Sequence, residues 1–346
     1  MKMLLPLLAL LGIFHGESPA AGTAGDVESA ARQGLAMVTR AASNWQKNKT
    51  CFSCHHQTLP VLAMVEAPRA GIASDVVWLQ SQADTTHKYF EERIEQMDEG
   101  EHVPGGSTTA GYGLWALSMA GRRPDKTTAA IVTYLLKIQG VVRLQGRAPG
   151  DLSQFPNGRW TTSCRRPPLQ GSDVADTVLA LIGMEKFATA EQRPQLVKAR
   201  AAAEKWLAQA PLKTQEDRIW RLWGLHRLDG DASVLESVRA AIFKAQREDG
   251  GWPQTDDRQS DAFSTGQTLF VLCQTGTPRA DLAVQRARDF LLRTQLADGS
   301  WLVESHVKNK AQPYFENGDP HGEHQFLSTA ATAWATAALV QLFPPK

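Results

Sequence analysis

The chain carries almost no charge imbalance. Its 37 Lys and Arg residues against 36 Asp and Glu leave a formal net charge of +1, so it lacks the basic excess that marks a nucleic-acid partner. Beyond the first 22 residues it also lacks any stretch apolar enough to span a bilayer. Runs of β-branched residues are scarce, which argues against a sheet protein. What remains is rich in Ala and Leu, and its 10 tryptophans recur in helical contexts. The composition is that of an all-α protein. Cysteine is sparse, with 4 in 346 residues, and two of the four fall in a single short motif.

Residues 1–22 read as an export signal. Lys2 supplies the positive start, Leu4 to Phe14 is an apolar run too short to cross a membrane, and small residues follow in Ser18-Pro19-Ala20-Ala21-Gly22. No cysteine follows that could carry a lipid. A soluble periplasmic or secreted protein is therefore expected, and about 325 residues remain, enough for two average domains or one large one.

The motif is Cys51-Phe52-Ser53-Cys54-His55-His56. Two thiols separated by two residues and followed at once by imidazole form the C-x-x-C-H pattern of covalent haem c attachment. Cys51 and Cys54 would add to the haem vinyl groups, and His55 would lie beneath the iron as its proximal ligand. Export agrees with that chemistry, since haem is attached outside the cytoplasm. The same residues are also compatible with half of a zinc site, or with a dithiol or disulfide.

Apolar periodicity and cap residues predict twelve helices: 27–45, 59–68, 75–97, 108–120, 124–139, 173–187, 190–210, 214–228, 232–246, 261–274, 281–295 and 326–342. In sequence they form six consecutive hairpins. The C-x-x-C-H segment, 51–55, falls in the turn of the first. Residues 140–171 read as the longest irregular segment. A repeat lies on top of this pattern. Gln246-Arg-Glu-Asp249-Gly250-Gly251-Trp252 and Gln295-Leu-Ala-Asp298-Gly299-Ser300-Trp301 share the form Q-x-x-D-G-x-W, each closing an odd-numbered helix. A looser copy joins Gln139 to Gly158-Arg159-Trp160, and Lys205 to Gln209 offers a fourth that lacks the turn. Glycine is expected to end each helix, the glutamine amide to bond free backbone groups there, and the indole to pack across the helix end.

These residues resemble the repeat of the squalene–hopene cyclase, oxidosqualene cyclase and protein prenyltransferase superfamily. That resemblance covers most of the chain from Val27 to Leu342. It implies a single (α/α)6 toroid over residues 23–346, with Asp173, Thr214, Asp261 and Ser328 at or near the starts of inner-ring helices. The segments 260–267, 312–316 and 328–334 further resemble an exported bacterial branch that joins such repeats to a C-x-x-C-H-H segment.

The resemblance says less about chemistry. No D-x-D-D acid motif of the cyclases is present; Asp173-Val-Ala-Asp176 and Asp256-Asp257 come nearest and do not match. A glycan-active toroid would need two carboxylates across a cleft, for which Asp173, Asp176, Asp257, Asp261 and Glu316 are the available acids. Asp173 and Asp261 are equally explained as helix-capping residues. If haem is bound, its distal ligand is sought among Met64, His321 and His324, with His56 too close to His55 to reach the same iron. Glu316, Asp319 and Glu323 would let the same loop bind a metal without haem. Trp115, Trp220, Trp223 and Trp334 are core or cavity lining, and Arg165-Arg166 a partner for haem propionates or an exposed loop. Cys273 reads as a buried thiol, with a bridge to Cys164 as the alternative. Three functional expectations stand. One is an exported haem c protein in electron transfer or as a redox accessory, with a periplasmic redox partner. The second is a haem-free toroid that binds or acts on a small hydrophobic (terpenoid) or glycan ligand in its central cavity. The third is a scaffold whose Cys/His turn binds zinc or forms a disulfide.

Overall fold

The computed structural model describes residues 23–101, 103–143, 152–154, 157–161, 166–306 and 315–344. The export signal, Cys164, Arg165 and residues 312–314 lie outside the described residues.

The chain alternates outer and inner helices. The outer set is α1 (Ala24–Asn48), α3 (Val76–Glu91) continued by α4 (Ile94–Glu99), α6 (Lys126–Ile138), α8 (Arg193–Gln209), α10 (Ala232–Lys244) and α12 (Leu282–Thr294). The inner set is α2 (Leu59–Glu66), α5 (Gly106–Met119), α7 (Asp173–Phe187), α9 (Gln215–Arg227), α11 (Ala262–Gln274) and α13 (Gln325–Val340). Inner helices pack on one another in chain order, and α13 returns to pack on α1 and α2, closing the ring. The fold is the α/α toroid expected from the repeat.

Inner helices are buried on all sides, as α13 illustrates: Leu327 to Val340 are buried without interruption. Such a helix must be small-sided where it meets its neighbours. A Cβ on Gly266 of α11 would stand 2.6 Å from the amide nitrogen of Ala335 on α13, so glycine there sets how closely the two helices approach.

The repeat forms the joints between the outer helices. Gln246 Nε2 donates to the carbonyls of Gly250 (2.9 Å) and Ala283 on α12 (2.8 Å). Gln295 does the same to Gly299 (3.0 Å) and to Ala30 on α1 (2.9 Å), which is the closing joint. Gln139 does so to Gly158 and to Ala199 on α8, both at 2.8 Å. The indole nitrogens of Trp252, Trp301 and Trp160 donate back to Ile242, Leu291 and Leu135. Their backbone amides donate to the hydroxyls of Thr265, Thr332 and Thr177 on the next inner helix.

Four expectations change. Glycine does not cap these helices, because α10 already stops at Lys244; Gly250 instead sits in the following turn at φ +88°, pressed 2.4 Å (as a virtual Cβ) from the Arg286 carbonyl. The helix expected over 75–97 breaks at Arg93, whose guanidinium folds over the Tyr89 ring, and α4 then turns Met97 into the core. Lys205 to Gln209 lie within α8 rather than in a fourth joint. Part of the segment expected to be irregular pairs instead as two short antiparallel strands, Val141–Arg143 with Leu152–Gln154.

Candidate functional site

The C-x-x-C-H-H segment is more ordered than a plain turn. Cys54 to Thr58 form one π-type helical turn that runs directly into α2. Ser53 drives this: its hydroxyl accepts from the His56 amide (3.2 Å), while its own amide donates to Gln57 Oε1 (2.8 Å). This reciprocal capping starts the helix at the second cysteine. Cys51 is exposed and Cys54 buried. The Trp45 indole donates to the Cys51 carbonyl at 2.9 Å.

His56 is fully buried. It stacks on Trp45 (4.8 Å between centroids, 23° between planes), and its Nε2 lies 2.7 Å from Asp319 Oδ2. Burial alone would raise the Asp319 carboxyl, but the bonds from His56 and Asn317 outweigh it and hold it below its ordinary value. His55 stacks on Phe326 (4.9 Å, 14°), and its Nδ1 meets both Ser53 Oγ (3.0 Å) and His56 Nδ1. Burial, then the neighbouring His56 and Arg166, hold the His55 imidazole well below its ordinary pKa.

The sought distal ligands are engaged elsewhere. His321 Nε2 bonds Ser300 Oγ at 2.7 Å, and His324 Nδ1 accepts from the Ser305 amide at 3.1 Å. Met64 is buried in α2, with its sulfur 3.4 Å from the Asp75 amide. What the final loop and the first turn of α13 bring to the motif is instead Asp319, on His56, and Phe326, on His55. Among the described residues, no group of three or more His, Cys, Asp or Glu side chains is placed to hold a metal ion.

A second constellation lies along the toroid axis. Trp115, Trp220, Trp223, Phe270 and Trp334, from four inner helices, form a ring cluster with centroid separations from 5.1 to 6.3 Å. One turn toward the helix N-termini the axis becomes polar. Asp176 on α7 accepts from Ser107 and Thr108 on α5, both at 2.8 Å, and is buried. Burial raises its carboxyl to about 7 against those two bonds. Glu216 on α9 is raised well above the ordinary range, first by burial and then by the charges of Asp217 and Asp176. The Tyr112 phenol is raised by burial and by Glu216, Cys54 and Asp176.

Several groups in this region are buried without hydrogen-bond partners: Tyr112 OH, Glu216 Oε1, both amide atoms of Gln267, and the indole nitrogens of Trp220 and Trp334. Gln267 and Trp220 lie near enough to Glu216 to favour its ionised form, yet neither closes a hydrogen bond. Each buried polar atom left dry costs about 1–3 kcal/mol. Six together would match or exceed the total stability of an average domain, roughly 5–15 kcal/mol. Water or a polar ligand would satisfy them.

The other acids are outside this region or explained by capping. Asp261 is the N-cap of α11, bonded to the Ser264 amide at 2.9 Å and raised to about 6 by burial. Asp173 follows the true cap, Ser172, and pairs with Arg159 at 3.4 Å. Asp257 is exposed and accepts from Thr255. Glu316 is exposed and accepts from the Gly318 amide. Glu216 and Tyr112 were not expected. Their signal was spacing: Glu216 stands four residues before Trp220 and Tyr112 three before Trp115, each on the axial face of its helix.

An all-α toroid with a polar layer at one end of its axis is the class that fold and site define. No family model and no curated protein matches the chain. Solved structures are similar in fold. A wild-type glycosidase is 13% identical over 93% of this chain and 98% of its own, with a TM-score of 0.60. A glycosidase variant in complex with glucose is 14% identical over the same shares, at 0.59. A type II terpene cyclase from Scytonema, in complex with merosterolic acid A, is 14% identical over 92% of this chain and 97% of its own, at 0.52. No helix of the described residues is long and apolar enough to cross a membrane.

Proposed function

We propose that this protein, exported from the cytoplasm, binds a glycan in the polar layer of its axis and performs acid-assisted chemistry on it. Glu216 is the proton donor, and Asp176 is the second carboxyl of the site. The observation that carries this reading is the set of unpartnered buried atoms on Tyr112, Glu216, Gln267, Trp220 and Trp334. A polyhydroxylated ligand satisfies such donors and acceptors, whereas a hydrocarbon chain would leave them dry at about 1–3 kcal/mol apiece. That difference favours a sugar over a terpenoid. A carboxyl whose pKa burial raises well above its ordinary value, as it does for Glu216, suits leaving-group protonation. The glycosidase neighbours agree with the choice but are too distant to argue for it.

The test is an oligosaccharide array followed by calorimetry on each hit. Saturable binding that is lost in Glu216→Gln, with the helical circular dichroism intact, supports the reading. Absence of any sugar ligand, together with binding of a prenyl substrate, would overturn it.

A second reading, covalent haem on Cys51 and Cys54 with His55 beneath the iron, is favoured by one specific observation. His55 Nδ1 is taken by Ser53 and His56, while its Nε2 has no hydrogen-bond partner among the described residues. A proximal histidine needs that division of its two nitrogens. Expression with a c-type maturation system and a haem-stained denaturing gel tests it. A stained band absent from the Cys51→Ala/Cys54→Ala double variant is expected, and an unstained wild-type band would sink it.

A further inference from the structure

Buried Asp319 and His56 and half-buried His55 form a chain in which chemistry fixes the direction of each bond. The Asp319 carboxylate only accepts. It takes bonds from Asn44 Nδ2 (3.2 Å), Asn317 Nδ2 (2.7 Å) and His56 Nε2 (2.7 Å). The His56 proton therefore sits on Nε2. A neutral imidazole has one N–H, so His56 Nδ1 is an acceptor. Its partner is His55 Nδ1, which must donate. Ser53 Oγ, 3.0 Å away, stands as a second acceptor for the same proton. What is left on His55 is Nε2, carrying a lone pair and no partner among the described residues.

The rest of the site clamps this arrangement. Phe326 covers one face of the His55 ring and Trp45 meets it edge-on at 5.4 Å, while Trp45 stacks on His56. Asn317 is held in turn by the Ala41 carbonyl (3.3 Å) and by Asn48. The side chains of His56 and Asp319 are 0% and 1% exposed, so water does not compete for these bonds.

We infer that Asp319 and His56 are positioning residues that hold His55 as its Nδ1–H tautomer, offering Nε2 as a ligand to a transition-metal centre. A carboxylate behind a histidine that fixes tautomer and ring orientation is the common support of a ligating imidazole. Two residues of the same segment, Cys51 and Cys54, are soft donors. The inference rests on the hydrogen bonds and bears on the haem reading only through what occupies Nε2. Iron of a haem and an aqua metal ion are the two sources of that chemistry.

Long-range proton–nitrogen correlation spectra of the 15N-histidine-labelled full chain test it directly. In wild type, His55 is expected to show a protonated Nδ1 and an unprotonated Nε2, with His56 the opposite. Asp319→Ala should shift His55 toward the Nε2–H form that predominates in free histidine, and Asp319→Glu should restore it. A wild-type His55 carrying its proton on Nε2 overturns the relay, whatever the variants do. Added Zn2+ or haemin should then move or broaden the His55 Nε2 signal selectively; Zn2+ alone acting identifies an aqua-metal site, haemin alone an iron porphyrin site. If neither perturbs Nε2 in protein with the expected tautomer, the ligand role falls and the haem-gel result stands separately.

Discussion

Replacing Asp176 by Asn should make the protein more stable at alkaline pH and flatten its pH dependence. The carboxyl is buried and raised from 3.8 to about 7. A carboxyl raised on folding binds its proton more tightly in the native state than in the unfolded one. Its contribution is thus neutral below the unfolded value and becomes a penalty as pH rises toward the folded value. The full gap corresponds to about 4 kcal/mol above pH 7, at about 1.4 kcal/mol per pKa unit. Roughly 3 kcal/mol of it develops between pH 5 and 8.5. Asn keeps the shape and can still accept from Ser107 or Thr108, but it cannot ionise. Urea unfolding of wild type and variant at pH 5 and 8.5 measures the difference. The variant should gain about 3 kcal/mol relative to wild type between the two conditions. Parallel pH profiles would refute the reasoning, because they would mean that the native protein does not penalise the Asp176 charge.

Asp319 has the opposite sign: its depressed carboxyl contributes stability above the unfolded value of 3.8 that is lost as pH falls through the lower folded one. Asp319→Asn should therefore lower stability at neutral pH and flatten the acid side of the unfolding profile. Gln246→Ala removes two bonds across the joint between α10 and α12, and should cost about 1–3 kcal/mol in urea unfolding. Gly299→Ala places a Cβ 2.7 Å from the Gln33 carbonyl carbon and oxygen at φ +84°, so it should lose more than about 1 kcal/mol and lower the melting temperature at the closing joint.

The fold was legible because its information is local and repeated. Gln246 and Gln295 stand at the same place in the same heptapeptide, so one inspection of spacing identifies a joint that recurs around the ring. Helix existence followed from periodicity and caps such as Asp75, Thr214 and Asp261, each of which bonds an amide in the first turn. The kink at Arg93 was not legible, because it answers to the packing of Met97 rather than to any breaker residue. The site was legible only in part. The C-x-x-C-H-H motif announced itself, but its partners did not, since Asp319 lies 263 residues from His56. Of the five cavity candidates, Asp176 and Trp334 reach the axis; Asp173 and Asp261 are consumed by a salt bridge and a cap, and Asp257 is exposed. Glu216 looked like one more acid in a first helical turn, where favourable interaction with the helix dipole is the usual explanation.

That dipole argument leads to the reason for the site's position. Each inner helix follows an outer one running the other way, so the six inner helices run parallel and present their N-termini at one end of the axis. Each N-terminus carries a partial positive charge of roughly half an elementary unit. Together they favour negative charge at the end where Asp176 and Glu216 lie, and where an oxyanion or polar ligand would enter. Burial opposes this and wins for both carboxyls, which are raised rather than lowered. Both effects act on the same carboxylates with opposite signs: burial penalises each anion, while the converging helix ends favour it. In the proposed reaction, a carboxyl raised by burial would pass its proton to a ligand that arrives to take it.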